Sequence, residues 1–574
     1  MAVENLITEY IDIWTSAVKT RSTSGRGSSK KLELYGIKEL RKLILELAVH
    51  GKLVPQDPND EPADILVQRI MAKKKELLAD GTLKKTKKSK VHDAIISAEE
   101  LPLGWVAADF GDITFNLDAQ RIPLSVSERK GRQGIYDYYG ASGVIDSIDA
   151  YLFDKPLLLI GEDGANLVNR STPIAFMARG KYWVNNHAHV IDGISEDFLI
   201  YLSLYINSIS LIPYITGMAQ PKMNQAKMNS ILVLLPPEKE QHRIVAKVDE
   251  LMTLCDQLEQ QTEASIEAHQ VLVTTLLDTL TNSADADELM QNWARISEHF
   301  DTLFTTEESI DQLKQTILQL AVMGKLVPQD PSDEPAAELL KRIAEEKAQL
   351  VKDKKIKKQK ALPPISEDEK PFELPNGWSF SRLESLSELI TKGSSPKWQG
   401  VSYTENPEDV LFVTSENVGA FKLLLDNEKY VEKKFNDIEP RSILKQDDFL
   451  MNIVGGSIGR TALFDSDRVA NINQAVCLIR ILAHELIPEF FLIFFNSRIC
   501  VSYMYDKQVD NARPNLSMSN ISKFVIPIPP VREQKLVVAM VNHFMDVCDQ
   551  LKTRLKESQI TQLHLTDAIV EQAV

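Results

Sequence analysis

His187 and His189 are one residue apart, and their side chains could bind a metal ion. On a β-strand both imidazoles would face the same side, and imidazole nitrogens are common zinc ligands. The matching stretch in a second, related half of the chain is Gln474-Ala475-Val476, which offers no comparable pair of ligands. The comparison of the two halves therefore predicts no metal site at these residues.

The adjacent carboxylates of Glu162 and Asp163 have the composition of an acidic catalytic pair. No lysine follows them at the spacing of a nuclease motif, and the second half has Gly456 and Ser457 near the matching point. We expect both carboxylates to lie in a loop, where one of them could accept a hydrogen bond from the amino group of cytosine.

Motifs of enzymes that act on nucleotides are missing from the sequence. The stretch 455–461 resembles a phosphate-binding loop but lacks its spacing and its lysine, so it is predicted to form a turn. An amino-methyltransferase needs an Asp-Pro-Pro-Tyr or Asn-Pro-Pro-Phe loop to hold a flipped adenine, and neither occurs. The chain is therefore predicted to contain no catalytic residues.

Polar side chains that could contact DNA bases occur in both halves. Asn186 and His187 are matched with Asn473 and Gln474. Asparagine and glutamine can pair with the N6 and N7 edge of adenine, and histidine can bond a base or a phosphate. The same side chains could instead satisfy backbone groups at the end of a strand, and the sequence leaves both roles open.

Two loops that precede the last predicted strand of each half are the main candidates for a DNA contact. They align at Pro221 and Pro514 and combine cations for phosphates with polar groups for bases. Another loop, in the second half, contains lysines, serines and Trp398, whose ring could equally be a core anchor. The candidate DNA-binding residues are Asn166, Arg170, Asn186, His187, Gln220, Lys222, Asn224, Gln225, Lys392, Ser394, Ser395, Lys397, Asn473, Gln474, Arg513, Asn515 and Ser517.

The elements that must position these loops are duplicated. The segment GKLVPQDPNDEPA returns later as GKLVPQDPSDEPA, with only Asn59 against Ser332 different, which indicates a tandem duplication. A variable segment follows each copy, begins with LPLGW or LPNGW and ends with PPEKEQ or PPVREQ. In chain order these motifs begin at residues 51, 101, 236, 324, 374 and 529.

A heptad pattern follows each PPxxEQ motif and predicts a long helix. Each pattern can continue for some forty residues without proline, which corresponds to about 60 Å of helix. We expect the two helices to pair in antiparallel orientation and to place the variable domains in a pseudo-twofold relation. The seam residues are Val248, Leu251, Cys255 and Leu258 in the first helix, and Val541, Phe544, Cys548 and Leu551 in the second.

The predicted fold class is α+β, with two α+β domains separated by long α-helices. Candidate strands begin at Pro156 and Lys181 in the first domain and at Asp409 and Asp448 in the second. The predicted divisions are an N-terminal extension (1–33) with a helical start and a Gly/Ser-rich joint, helical repeat copy 1 (34–100), variable domain 1 (101–235), a central long helix (236–300), helical repeat copy 2 (301–373), variable domain 2 (374–528) and a C-terminal long helix (529–574).

Composition limits the class of protein. The 574 residues are 44% hydrophobic and carry a net charge of −16, which argues against a surface coated with basic residues but permits a local DNA-binding face. The N-terminus lacks the pattern of a signal peptide, so we expect a cytoplasmic protein. The four cysteines form no CxxC pair and are predicted to be reduced core residues.

The combination of duplicated helical regions, LPxGW and PPxxEQ motifs and two variable domains resembles the specificity subunits of type I restriction-modification systems. The segments RIPLSVSERKGRQGIYDYYGASGVID, LIGEDGANL, KGSSPKWQG and NINQAV look like the target-recognition domains of that family. The resemblance covers nearly the whole chain from about residue 34, and the first 33 residues match no motif of the family.

The resemblance implies a non-catalytic subunit that binds double-stranded DNA. Each target-recognition domain would read one half of a split site, and the helices would set the gap between the halves. Two modification subunits would bind S-adenosylmethionine and methylate adenine, and restriction subunits bound through them would use ATP to translocate and cleave DNA. No cofactor is expected on this chain. The alternative is a coiled-coil scaffold whose variable domains bind proteins, which the acidic net charge would also suit.

Overall fold

The computed structural model describes residues 3–22, 30–85, 87, 101–217, 220–284, 286–358, 362–482, 485–506 and 516–573. The chain divides into two compact units, of which unit 1 comprises 1–265 and 558–574 and unit 2 comprises 266–557. No helix in these described ranges combines the length and the apolar character that crossing a membrane requires.

Unit 1 begins with short helices that pack on the first repeat. These are α1 (Val3–Glu9) and α2 (Ile11–Ser16), followed by the antiparallel strands β1 (Lys19–Ser22) and β2 (Lys30–Glu33) and by the repeat helices α3 (Tyr35–Val49) and α4 (Ala63–Ala79). Trp14 is fully buried, and a Cβ on Gly36 would lie 2.3 Å from its carbonyl oxygen. The close contact requires glycine at residue 36. The predicted joint lies partly outside the described residues, at 23–29.

The first variable domain combines two β-sheets and a two-stranded ribbon with short helices. Its elements are β3 (Val106–Asp109), α5 (Phe110–Ile113), β4 (Phe115–Asn116), α6 (Val126–Lys130), β5 (Gln133–Gly140), β6 (Gly143–Ile148), β7 (Leu157–Gly161), α7 (Asn166–Asn169), β8 (Ala175–Ala178), β9 (Tyr182–Val184), β10 (Ala188–Asp192), α8 (Glu196–Ser208), α9 (Gln225–Met228) and β11 (Leu232–Leu235). The main sheet has the order β4-β10-β7-β8, and a second sheet has the order β6-β5-β9. β3 pairs with β11, so the first and last strands close the domain on itself.

The long helix α10 (Glu238–Asn282) follows and contains the boundary between the units. Unit 2 then continues with the helices α11 (Ala286–Glu298), α12 (Phe300–Leu303), α13 (Glu307–Val322) and α14 (Ala336–Lys352). The predicted central helix range extended to residue 300, whereas the continuous helix ends at Asn282 and a separate helix begins at Ala286.

The second variable domain repeats the main sheet of the first and has a larger second sheet. Its elements are β12 (Ser379–Arg382), α15 (Leu383–Leu386), β13 (Ser387–Lys392), β14 (Tyr403–Thr404), β15 (Val410–Val413), β16 (Tyr430–Val431), α16 (Lys434–Ile438), β17 (Asp448–Asn452), β18 (Thr461–Phe464), β19 (Ala470–Ile472), β20 (Val476–Ile481), α17 (Pro488–Asn496), α18 (Arg498–Asp506), α19 (Met518–Ser522) and β21 (Val525–Ile528), before the long helix α20 (Val531–Ala573). The order β13-β20-β17-β18 matches β4-β10-β7-β8, and β12 pairs with β21. The second sheet, β14-β16-β15-β19, accommodates the greater length of this segment. The predicted α+β class is confirmed.

In unit 1 the two long helices have opposite directions beside α3. Gln56, after the end of α3, bonds Glu240 near the start of α10, while Arg41 nearer the start of α3 bonds Asp256 and Glu259. α10 therefore runs antiparallel to α3. Tyr35, at the start of α3, donates to Asp567, and the apolar C-terminal turns of α20 pack on the same core.

Unit 2 shows the same arrangement, with α20 in the place that α10 has in unit 1 and α10 in the place of α20. The carboxylate of Glu533 at the start of α20 bonds Gln329, beyond the end of α13, whereas Lys552 bonds Asp311 near the start of α13. Along α10, Gln270 bonds Glu308, and the backbone oxygens of Thr281 and Ser283 accept from Lys325. In each unit, the N-terminal part of one long helix therefore lies beside the C-terminal part of the other and runs in the opposite direction. This arrangement confirms the predicted antiparallel pairing of α10 and α20.

The predicted seam residues lie in the cores of the two units. In unit 1 all four are buried, and in unit 2 Val541 and Cys548 are buried while Phe544 and Leu551 are half-buried. All four cysteines of the chain are free and buried, as the sequence predicts. Burial raises the pKa of the Cys255 and Cys548 thiols to about 11, so both stay protonated at neutral pH.

The duplicated motifs meet at one junction in each unit. In unit 1, Glu240 accepts from the indole of Trp105 at 3.1 Å and from the amide of Gln56 at 3.2 Å, and Gln56 also donates to the carbonyl of Gly51 at 2.6 Å. Gly51 has a φ of 68°, and a Cβ there would lie 2.6 Å from Pro102. In unit 2 the same contacts join Glu533, Trp378, Gln329 and Gly324, at distances of 3.0, 3.1 and 2.6 Å in the same order.

Candidate nucleic-acid interface

Three loops of the first domain meet at one end of its main sheet. The backbone N–H of Glu162, after β7, donates to the carbonyl of His187 at 2.8 Å, and the N–H of Met223 donates to the carbonyl of Glu162 at 2.8 Å. The N–H of Gly164 donates to Pro221 at 3.0 Å. These bonds bring the predicted contacts Asn186, His187, Lys222, Asn224 and Gln225 into one region.

A cluster of buried charges supports these loops. His189 is 1% exposed, and its Nδ1 lies 2.7 Å from a carboxylate oxygen of Asp118 while its Nε2 lies 2.9 Å from the carbonyl oxygen of Met223. Because both partners only accept hydrogen bonds, both ring nitrogens must donate, and His189 is an imidazolium. Arg121 donates to Glu162 at 3.0 Å and lies 3.5 Å from Asp118, so two carboxylates balance two cations.

The pKa shifts follow from this geometry. Burial of His189 disfavours its charge, but its hydrogen bond to Asp118 and the charges of Asp118 and Glu162 outweigh burial and raise its pKa. Burial alone would raise the pKa of the Asp118 carboxyl group. The hydrogen bond to His189 and the positive charge of His189 outweigh burial, so the pKa is lowered. The charged pair is therefore the stable form of these two residues.

Two of the predicted contacts of the first domain, Lys222 and Gln225, are attached to this cluster, and two others lie beside it. Lys222, half of whose side chain is exposed, lies 3.2 Å from Glu162. Gln225 donates from its amide nitrogen to Asn116 at 2.8 Å and to Asp118 at 3.2 Å. His187 lies 2.8 Å from Asp163, and Asn186 is exposed. A face with an ammonium group and exposed amides or imidazoles is suited to phosphates and base edges.

Three of the four other predicted contacts of this domain have internal partners. Asn224 accepts from the N–H of Lys227 and caps α9, and Gln220 is exposed. Asn166 bonds Thr172 and Ser171 within its own loop. Arg170 donates to the carbonyls of Ile206 and Ile209 at 3.3 and 2.7 Å, which caps the end of α8.

The second domain has the same loop arrangement. The N–H of Ile453 donates to Ala475 at 3.0 Å, the N–H of Leu516 donates to Ile453 at 2.9 Å, and the N–H of Gly393 donates to Val476 at 3.4 Å. These bonds place Gln474, which is half-exposed, beside the loop that begins at Lys392.

This equivalence corrects the alignment of the two halves by one residue. The side chain of Asn185 accepts from the N–H of His187, and that of Asn473 accepts from Ala475. Asn185 is therefore the counterpart of Asn473, whereas the sequence alignment paired Asn186 with it. His189 corresponds to Cys477 and not to Val476. Asn473 thus has the backbone-binding role that the sequence left as one of its two alternatives.

The remaining candidates of the second domain lie around the same loops. Lys392 and Lys397 are exposed, Ser395 is half-exposed, and Ser394 is buried and accepts from Gln399 at 3.0 Å. Ser517 caps α19, as Asn224 caps α9. Arg513 and Asn515 lie outside the described residues. Trp398 is 76% exposed, so its alternative role as a core anchor is wrong.

The side chains behind the two sets of loops differ sharply. Glu162 and His189 of the first domain are matched by Ile453 and Cys477 in the second, both buried, and Gln225 is matched by Met518. The Cys477 sulfur lies 3.6 Å from the Met518 sulfur. One shared backbone arrangement therefore presents a charged cluster in one domain and an apolar one in the other.

Sequence reasoning missed Asp118, Arg121 and the structural role of His189. Asp118 and Arg121 lie in one turn and His189 and Glu162 in two other segments, and only strand pairing brings these three segments together. Position 189 carried a signal, because an internal strand residue between apolar neighbours is expected to be buried and a buried imidazole needs partners. In the described part of the chain, no group of three or more His, Cys, Asp or Glu side chains could hold a metal ion.

The fold and these loops define a protein with two related recognition domains mounted on duplicated helical junctions. The family model for the type I restriction modification DNA specificity domain matches residues 102–268 and 375–562. The chain therefore belongs to the family of type I restriction-modification specificity subunits.

Individual relatives are similar over the full length. The EcoEI specificity subunit of Escherichia coli is 40% identical and the EcoAI specificity subunit of the same species is 39% identical, and each alignment covers 100% of both chains. Among solved structures, the HsdS subunit from Thermoanaerobacter tengcongensis is 15% identical with a TM-score of 0.39, covering 82% of this chain and 97% of that one. The family assignment rests on the sequence relatives.

Proposed function

We propose that the chain is the DNA-reading subunit of a type I restriction-modification complex, with each recognition domain reading one half of a bipartite site. The observation that carries this proposal is the contrast between the two domains. Their main sheets and loop-closing hydrogen bonds correspond, while Glu162, His189 and Gln225 are replaced by Ile453, Cys477 and Met518. Two readers of different half-sites require this combination of a common frame and different side chains.

The helical parts have a separate role in the proposal. The long helices set the gap between the half-sites, and the two matching junctions around Glu240 and Glu533 dock two modification subunits in equivalent ways. Restriction subunits join through those. A protein-binding scaffold, the alternative function, would not call for membership of a DNA specificity family.

We also infer that the chain itself is non-catalytic. The sequence lacks both a nucleotide-binding GxxxxGK[ST] loop and a methyltransferase Pro-Pro loop. S-adenosylmethionine and ATP with magnesium are accordingly assigned to the partner subunits, and a cytoplasmic location stays a prediction. Binding of S-adenosylmethionine by this chain without partners would contradict the inference.

Mapping of methylated adenines tests the proposal. Cells that carry the complete complex should show methylation in a two-part motif with a fixed gap. Replacement of 101–235 by the corresponding domain of a relative should change one half of the motif, and replacement of 374–528 should change the other. A change in both halves from a single replacement would contradict the assignment of one domain to each half-site.

A further inference from the structure

The side chain of Trp398 is large and apolar but contributes little to the packing of the second domain. It is 76% exposed, and among the described residues no aromatic ring packs against it. Other tryptophans, such as Trp105 and Trp378, are buried and donate to a carboxylate. The ring of an exposed tryptophan beside candidate DNA contacts is available for stacking on a base. Such stacking is favourable because it removes the facing surfaces of the indole and of the base from water.

The turn that carries Trp398 is held firmly. Pro396 is buried and begins a short 3₁₀ turn, and the N–H of Val401 donates back to its carbonyl at 2.9 Å. Gly400 closes the turn with a φ of 65°. Gln399 donates to Ser394 at 3.0 Å and to Glu439 at 2.9 Å. Only Lys397 and Trp398 of the turn project into solvent, so the ring is presented on a fixed support.

The loop also provides positive charge. Lys392 and Lys397 are exposed, and the described residues include no carboxylate paired with either of them. Two unpaired ammonium groups close to an exposed indole match the phosphates on either side of a base step. The rest of this chain is acidic, with a net charge of −16 overall, so a local pair of lysines stands out as a site for a polyanion. Charge complementarity therefore favours DNA as the occupant.

The loop is fixed against the other reading loops of its domain. A Cβ on Gly393 would lie 1.9 Å from the carbonyl oxygen of Ile472 and 2.6 Å from that of Asn473. Glycine permits this approach and brings the beginning of the Trp398 loop to the turn that holds Gln474. In the corresponding loop of the first domain, Arg121 joins the buried charges and the carbonyl of Ile122 accepts from Trp183 at 2.6 Å.

We propose that Trp398 inserts its indole ring into a base step of the half-site read by the second domain, with Lys392 and Lys397 on the flanking phosphates. The inference rests on the proposed function and deepens it, because it adds DNA deformability to what this domain recognises. Insertion costs least at flexible pyrimidine–purine steps, so the second half-site should contain such a step opposite Trp398.

The test uses the complex assembled with its modification subunits and a duplex that carries both mapped half-sites. 2-Aminopurine replaces one adenine at a time in the second half-site, because its fluorescence rises when it is unstacked. The methylated adenine gives a rise of its own, which comes from flipping by the modification subunit and should be the same in every variant. Wild-type complex should also raise the signal at one other step. W398A should abolish that rise and weaken binding by about 10- to 100-fold, and W398F should retain part of both effects.

The control variant is Tyr403→Ala, which removes an exposed aromatic ring of the same domain and should leave the fluorescence unchanged. Unchanged affinity of W398A, or lost affinity with the fluorescence rise retained, would overturn the insertion. Loss of complex assembly without DNA would make Trp398 a protein-docking residue and also overturn it. If wild-type complex shows no sequence-specific binding, the proposed function itself fails, which is a distinguishable result.

Discussion

At the scale of single residues, the first domain depends on a charge cluster that is absent from the equivalent place in the second. Asp118 is the acceptor for His189, Val190 and Gln225, so one carboxylate supports two separate segments, strand β10 and the start of α9. A buried charge that loses its partner is strongly destabilised, since the remaining ion has neither water nor a counter-ion.

Asp118→Asn is therefore expected to destabilise the first domain by up to about 3–5 kcal/mol. Denaturant unfolding followed by a probe in that domain measures the effect. Asp163→Asn is the matched control, because Asp163 pairs with the exposed His187 and should contribute less than about 1 kcal/mol. Equal losses in the two variants would show that the buried cluster carries no special weight.

The same pair predicts a pH dependence with a definite sign. The pKa of His189 is raised in the folded protein, so its contribution to stability is complete below the ordinary imidazole pKa of about 6.5 and is lost as the pH rises through the raised value. Unfolding measured on both sides of this range should show falling stability of the first domain with rising pH. Asp118→Asn should reduce that slope, and an unchanged slope would point to another group.

Arg170 and Lys222 should separate stability from DNA binding. Arg170→Ala removes two hydrogen bonds to the end of α8 and should cost about 1.5–3 kcal/mol of stability, with an unchanged salt dependence of DNA binding by the complex. Lys222→Ala should leave stability nearly unchanged and lower the slope of log affinity against log salt by about 1. The reverse pattern would identify Arg170 as the phosphate contact.

At the scale of elements, the junction explains why three separate motifs are duplicated. The indole of Trp105, from the LPxGW motif, and the amide of Gln56, from the repeated turn, share the carboxylate of Glu240 from the PPxxEQ motif. Burial raises the pKa of Glu240 and of Glu533, and the hydrogen bonds they accept oppose that shift. The motifs therefore fix where a recognition domain leaves its helical support.

Glu240→Ala and Glu533→Ala should have nearly equal effects, because their contacts are the same. Each variant leaves one buried indole N–H without its acceptor and removes one of the acceptors of the glutamine amide, and it should cost about 1–3 kcal/mol in its own unit, measured by thermal or denaturant unfolding. Glu238→Ala, which lies two residues before Glu240 and removes a partly exposed ion pair with Arg69, is the control and should have little effect. Strongly unequal losses would contradict the equivalence of the junctions.

At the scale of the whole molecule, the boundary between the units falls inside both long helices, between Ser265 and Ile266 and between Glu557 and Ser558. A length change made at these two points alters neither recognition domain nor either junction. Any effect of such a change on DNA recognition therefore comes from the length of the helices.

Insertion of seven helix-forming residues at both points keeps the seam in register and lengthens each helix by about 10 Å, which is close to three base pairs. The methylated motif should keep both half-sites and gain a longer gap. An insertion of four residues, which rotates the seam out of register, is the control and should impair assembly. An unchanged gap with the seven-residue insertion would exclude the helices as the spacer.

The sequence by itself determined the duplication, the α+β class, the long helices and their seam, because these depend on local periodicity and on motifs that occur twice. Strands such as β7 and β17, which begin close to the predicted starts at Pro156 and Asp448, were predictable from their short apolar runs. The family could also be identified, since its motifs are contiguous in the chain.

Only the tertiary structure decided how residues far apart in sequence combine. Asp118, Glu162 and His189 come from different segments, and the bonds that join them depend on strand pairing that the sequence does not specify. The one-residue correction that aligns Asn185 with Asn473 has the same origin. Strand register is set by hydrogen bonds, and similarity of the amino-acid sequence does not determine it. Exposure of Trp398 likewise depends on which face of its turn the core covers, and this is a property of packing.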